Sequence, residues 1–234
     1  MSGTTKSAAE EGAKSSDDPV ARGLVREAHS RMYKWPAGFG GYRADVLVND
    51  EGEVFKGEVC VIPRKETTVE LPGADPALRE WVRERLWTQG MHLAHLPFEE
   101  GDGKYVFSFD PDEDPARFHP RGRRVLLTGG RLDSWYRIKD RQYTQIGRIA
   151  PMIERRVNTI ERYDAAPDGR QYSSHYVMTY FTLDGRSVIG MESYVNEYAD
   201  LRGLWLPLRR RISFGERGLV KTRVIELFNH EVGV

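Results

Sequence analysis

The chain has 234 residues and a mass of 26.8 kDa, enough to bury a substantial core as one large domain or two small ones. Lys plus Arg and Asp plus Glu both number 35, so the formal net charge is zero and no strong overall field draws the chain to nucleic acid or to an anionic membrane. A single cysteine, Cys60, excludes an internal disulfide framework and fits a reducing compartment. The N-terminus lacks the apolar core of an export signal, and no apolar run approaches the roughly 20 residues of a membrane span. A cytoplasmic, soluble protein is the expectation.

Residues 1–17 are small, polar and charged and are expected to form a disordered tail. No linker interrupts 18–234, which reads as one domain. Asp17 or Asp18 offers an N-cap, Pro19 suits the first helical position, and Val20, Leu24, Ala28 and Met32 recur at helical spacing. That pattern predicts a helix over 19–33. Trp35, Phe39 and Tyr42 follow in a glycine-rich connection, where the rings need a dry surface; the loop is expected to pin the helix to a sheet or to wall a pocket. Strands are predicted over 42–48, 53–62 and 66–71, with Asn49 to Gly52 as a hairpin turn. Cys60 lies in the second of these and reads as a core thiol.

Asp75 and Pro76 repeat the cap-plus-proline signal, and Leu78, Trp81, Val82 and Leu86 mark a second helix. It is expected to continue past Gly90 to His95 and to stop at Pro97. His92 and His95 would then stand i and i+3 on one face with Glu99 just beyond. This is the best local cluster for a divalent transition metal or for proton transfer, although a histidine near a helix C-terminus also interacts favourably with the helix dipole. Strands are expected over 104–109, 123–128, 134–139 and 141–148. The acidic run from Asp110 to Asp114 lacks the ligand spacing of a calcium loop.

Five longer strands are predicted over 153–163, 171–183, 187–198, 203–214 and 219–230. Pro167-Asp168-Gly169, Asp184-Gly185 and Gly215 to Gly218 supply turns between them. Connections this short force antiparallel pairing and a broad, twisted meander. The strand over 171–183 carries Ser173, His175 and Thr179 on one face and Ser174, Tyr176 and Tyr180 on the other, so neither face is purely apolar. Mixed faces point to a curved sheet whose concave side holds a cavity. Arg155, Asn158, Glu161, His175, Glu192, Tyr194 and Arg209 are the polar candidates to line it, and for each a cross-strand ion pair is the plainer reading. Arg209, Arg210 and Arg211 alternate in direction and form no single patch. The fold class expected is α+β: a large curved antiparallel sheet, a half-barrel, covered by two helices.

A set of short motifs carries a resemblance over most of 19–230: Ala28-His29, Arg31 and Tyr33; Trp35 to Tyr42; Phe98-Glu99-Glu100 with Gly103-Lys104; His175-Tyr176; and Leu204 to Arg210. They look like a domain-of-unknown-function family of similar length found in cyanobacteria and plant chloroplasts. The meander with two covering helices is similar to the half-barrel of lipoprotein-carrier (LolA-like) proteins, which implies a concave face that shelters acyl chains. Two functions follow as expectations. One is a module that binds a hydrophobic or amphipathic small molecule, with Trp35, Phe39, Tyr42 and Trp205 as apolar walls and Tyr194 and Arg209 as polar contacts. The other is an enzyme in which His92, His95 or His175 exchanges a proton with the ligand, helped by Glu99 or Arg155, with a metal variant that recruits His92 and His95. No phosphate-binding glycine motif requires an organic cofactor.

Overall fold

The structure is a computed structural model and describes residues 16–114, 117, 119–130, 133–150, 154–166 and 168–233. Most of the expected tail, the start of the strand at Ile153 and the turn residue Pro167 lie outside these. Helix α1 (Pro19–Arg31) starts as its sequence requires: the Asp18 carboxylate accepts hydrogen bonds from the N–H groups of Val20 and Ala21 at 2.8 and 3.1 Å. Extended backbone at Met32 (φ −76°, ψ 130°) ends it slightly before the predicted 33. Helix α2 (Pro76–Leu93) is capped by Asp75, which accepts from the Leu78 N–H at 2.8 Å. The strands are β1 (Tyr42–Asp50), β2 (Glu53–Ile62), β3 (Glu66–Glu70), β4 (Val106–Phe109), β5 (Arg123–Thr128), β6 (Asp133–Lys139) and β7 (Gln142–Ala150). They continue with β8 (Glu154–Ala165), β9 (Gln171–Phe181), β10 (Val188–Leu201), β11 (Leu204–Glu216) and β12 (Leu219–Val232).

All twelve belong to one open antiparallel sheet in the order β3-β2-β1-β12-β11-β10-β9-β8-β7-β6-β5-β4. The chain is thus two meanders, β1 to β3 and β4 to β12, joined where the first strand pairs with the last. Tyr42 lies opposite Val232 and Asp50 opposite Arg223, and the Arg223 guanidinium grips the Asp50 carboxylate through two nitrogens at 2.8 and 3.1 Å. Gly41 leads into this junction with φ +120°, and a Cβ there would lie 2.3 Å from the Val61 carbonyl oxygen, so only glycine fits.

Each helix dries a different part of the inner face. Helix α2 lies on β2 and β3, and α1 on β4, β6 and β7. Beneath α2, Leu78, Val82 and Leu86 pack with Val46, Val61 and Leu227. Beneath α1, Ala21, Val25 and Ala28 pack with Phe107, Leu127 and Tyr143. Gly90, in the last turn of α2, lets that helix close on β2: a Cβ would stand 3.0 Å from Val61 Cγ1. Over β8 to β11, between the two clusters, α2 reaches the sheet through polar side chains, Arg85 to Glu192 and Gln89 to Tyr198, and neither helix packs there as closely as on its own strands.

Leu227 is 2% exposed at the junction strand, so Leu227→Ala is expected to cost about 2–5 kcal/mol of unfolding free energy in a denaturant titration. A loss below about 1 kcal/mol would show that the β1–β12 seam is not a packed part of the core.

Candidate functional site

Between the two cores the inner face carries polar and aromatic side chains instead of aliphatic ones. Asn158 of β8, Tyr176 of β9, Asn196 of β10 and Arg210 of β11 form the floor of a hollow of about 70 Å³. The register explains the grouping: Tyr176 lies opposite Tyr194, and Asn196 opposite Arg210. Met32 and Tyr33, just after α1, and Gln89, His92 and Leu93, at the end of α2, form the rim. Residues 32–35 are tied down at both ends of this rim. The Tyr33 N–H donates to the Gln171 carbonyl at 2.6 Å, and the Trp35 N–H donates to the Leu93 carbonyl at 2.7 Å.

Arg210 is 4% exposed. Its Nη1 donates to the Arg85 carbonyl at 2.9 Å and its Nη2 to the Tyr176 hydroxyl at 2.5 Å. The guanidinium carbon sits 4.9 Å from the centre of the Tyr194 ring, which stacks on Tyr176. Several buried polar atoms of the lining have no hydrogen-bond partner among the described residues: Arg210 Nε, Gln89 Oε1, Asn158 Oδ1 and Asn196 Oδ1. Buried polar atoms are nearly always satisfied, so four unpartnered ones among the residues that line one hollow set it apart from the rest of the inner face.

The electrostatics around the hollow are positive. Lys34 donates to the His92 carbonyl, and burial brings its pKa down to about 8 against the pull of Asp102. His92 is open to water on one side, while protein surrounds the rest of the ring. Desolvation first, then the positive charges of Lys34, Arg210, Arg156 and Arg148, lower its pKa to about 4. Nearby carboxylates are engaged. Glu192 pairs with Arg85 at 2.6 Å and accepts from the hydroxyls of Tyr180 and Tyr194. Asp102 accepts from the Tyr136 hydroxyl at 3.0 Å, which in turn receives Arg148 Nη2 at 2.6 Å.

The structure separates the residues singled out from the sequence. Helix α2 ends at Leu93, and Ala94 is already non-helical (φ −56°, ψ 138°), so His92 and His95 do not share a helical face. Only His92 reaches the hollow; Glu99 is exposed and pairs with Arg26 at 2.6 Å. Among the described residues no three His, Cys, Asp or Glu side chains converge where they could hold a metal. Alternation along β9 directs His175 away from the face that carries Tyr176. Arg155 lines a separate shallow cleft of about 480 Å³ beside the β9–β10 turn, with Phe181, Leu183 and Ile189. Arg209 lies in register between Glu197 and Glu226 and pairs with both at 3.1 Å, the cross-strand ion pair that was the plainer reading.

Trp35, Phe39 and Tyr42 pack with Trp205 in the cluster beneath α2. The Trp35 indole N–H donates to the Trp205 carbonyl at 3.0 Å, and the Trp205 N–H donates to the Tyr33 hydroxyl at 2.9 Å. The aromatic loop therefore pins α1 and the sheet together, outside the hollow. Tyr194 is buried beside the hollow, against Arg210. Lys34, Gln89, Asn196 and Arg210 are additions that sequence reasoning missed. One signal existed for Arg210: it has the same strand parity as Ile212, a position with no exposed area, and so had to point inward.

The profile of a family of unknown function, DUF3386, matches residues 16–232. The chain belongs to the DUF3386 family. No curated protein matches it. Solved structures similar to this DUF3386 chain include a domain from Vibrio parahaemolyticus named for outer membrane lipoprotein sorting, with TM-score 0.40, 10% identity and coverage of 91% of this chain and 92% of that one. A LolA superfamily protein from Nitrosomonas europaea gives a TM-score of 0.36 at 12% identity, covering 92% and 94% of the two chains.

Desolvation first, and then the cations around His92, are expected to hold its imidazole neutral well into the acid range. By NMR titration its midpoint should fall clearly below the ordinary value of about 6.5. A folded-state pKa that is depressed favours the fold fully above the unfolded value; this contribution is lost as pH falls from about 6.5 through the folded value. A midpoint at the ordinary value would show that water, and not the surrounding charge, governs the ring.

Proposed function

We propose that this protein is a binding module for a small amphipathic molecule, held in the hollow that β8 to β11 floor and the ends of the two helices rim. The observation that carries the reading is the convergence of unpartnered buried polar atoms, Gln89 Oε1, Asn158 Oδ1, Asn196 Oδ1 and Arg210 Nε, on one hollow at the seam of two dry cores. Such groups are costly to bury unmatched, about 1–3 kcal/mol each, and a ligand or water that matches them recovers part of that cost. The apolar members of the rim, Met32 and Leu93, sit at the facing ends of α1 and α2, where the non-polar part of a ligand would lie. The volume of about 70 Å³ is well below the roughly 300–1,000 Å³ of drug-sized sites, so it suits the polar end of such a molecule.

A proton-transfer version of this reading assigns the base to His92, whose neutral ring stands on the rim. His95, His175, Glu99 and Arg155 lie outside the hollow and take no part.

Thermal unfolding in the presence of a panel of dodecyl amphiphiles tests the reading. A ligand at a hundred times its dissociation constant should add about 2.7 kcal/mol of stability, seen as a rise in melting temperature that saturates with concentration. No shift with any member of the panel would remove the proposal.

A further inference from the structure

The charge around the hollow narrows the class of ligand. Arg210 is buried, yet its hydrogen bonds run to a carbonyl and a phenol, and among the described residues no carboxylate stands within ion-pair distance of it. Moving a guanidinium out of water costs several kcal/mol unless an anion compensates. The carboxylates that could do so are held elsewhere: Glu192 by Arg85, Tyr180 and Tyr194, and Asp102 by Tyr136. At His92 on the rim, Lys34 adds charge of the same sign as Arg210. The protein has therefore placed positive charge in a sheltered position with one donor, the Arg210 Nε–H, left without a partner among the described residues. A guanidinium is well matched to the oxygens of an oxyanion.

We propose that the hollow takes the oxyanion head, a carboxylate or phosphate, of the amphipathic ligand, with Arg210 as the cationic contact and Lys34 as a second source of positive charge. This rests on the reading that the hollow is a binding site. The hollow, about 70 Å³, has room for such a head, and Asn158, Asn196 and Gln89 present carbonyl oxygens that a hydroxyl on the ligand or a retained water would satisfy. The chain of the ligand leaves past Met32 and Leu93, between the helix ends.

The test compares dodecanoate, dodecyl phosphate and 1-dodecanol with acetate and inorganic phosphate, by tryptophan-fluorescence titration of the full chain. The expected result is that one or both dodecyl anions bind at least about tenfold more tightly than the alcohol, and that Arg210→Gln brings the ratio close to one. Which anion is preferred tells carboxylate from phosphate. Lys34→Gln, at a half-buried position, should lower the ratio severalfold, and it serves with the wild-type ratio if Arg210→Gln does not fold by circular dichroism. Equal affinities for acid, phosphate and alcohol in the wild-type protein overturn the anion assignment and leave the binding site standing. Binding of none of the five probes overturns both. Acetate or inorganic phosphate binding as tightly as the dodecyl anions would keep the anion site and overturn the amphipathic reading beneath it.

Discussion

Strands in a sheet lie about 4.8 Å apart, so the twelve strands of this protein span roughly 50 Å across, while a helix with its side chains is about 10 Å thick. Two helices cannot dry an inner face of that width. Each builds its core chiefly over the strands on which it packs most closely, α2 over β2 and β3, α1 over β4, β6 and β7, and the middle of the face between them is left to find another way to be compatible with the interior. That shortfall of cover is the origin of the hollow, and the polar character of its lining follows from it.

The solution on β9 and β10 is a belt of tyrosines. Tyr172, Tyr176, Tyr194 and Tyr198 present a ring to the core and a hydroxyl to polar neighbours. Tyr172 packs 4.3 Å from Tyr198, and Tyr176 stacks 4.6 Å from Tyr194. The hydroxyls of Tyr198, Tyr176 and Tyr194 engage Gln89, Arg210 and Glu192 in turn. Burial pushes the pKa of Tyr172 and of Tyr198 up to about 12, so they stay neutral and cannot supply the negative charge that Arg210 lacks. Aromatic faces and phenol groups make a buried guanidinium tolerable without neutralising it, which leaves its charge available to whatever enters.

Most of the architecture was legible because it is written locally. Cap residues at Asp18 and Asp75, turns rich in glycine and aspartate, and alternation along each strand need no knowledge of distant partners, and the twelve predicted strands lie where the sheet has them. The partner order was not legible: nothing in 42–50 announces that it will pair with 219–232. Nor was the direction of every side chain, because β-bulges reset the parity on which such a reading depends. Register shifts between Glu197 and Tyr198, and between Ile160 and Arg162, mean that counting along one strand does not carry to the next. Within β11 no such shift separates Arg210 from Ile212, and it is Arg210, not Arg209, that shares the inward parity and faces the hollow. The histidine pair failed for a related reason, since a helix stopping at Leu93 instead of His95 moves one ring off the shared face.

Pairing the first strand with the last also sets an order of events during synthesis. When β1 leaves the ribosome its inner edge has no neighbour, and it stays so until some 170 further residues have followed and β12 has been made. An unpaired edge of this kind invites association with other chains, and long-range closures of this kind are slow. The charged side chains of the N-terminal hairpin, such as Glu53, Lys56 and Glu58 on β2, are of the kind that discourages association until the last ribbon arrives.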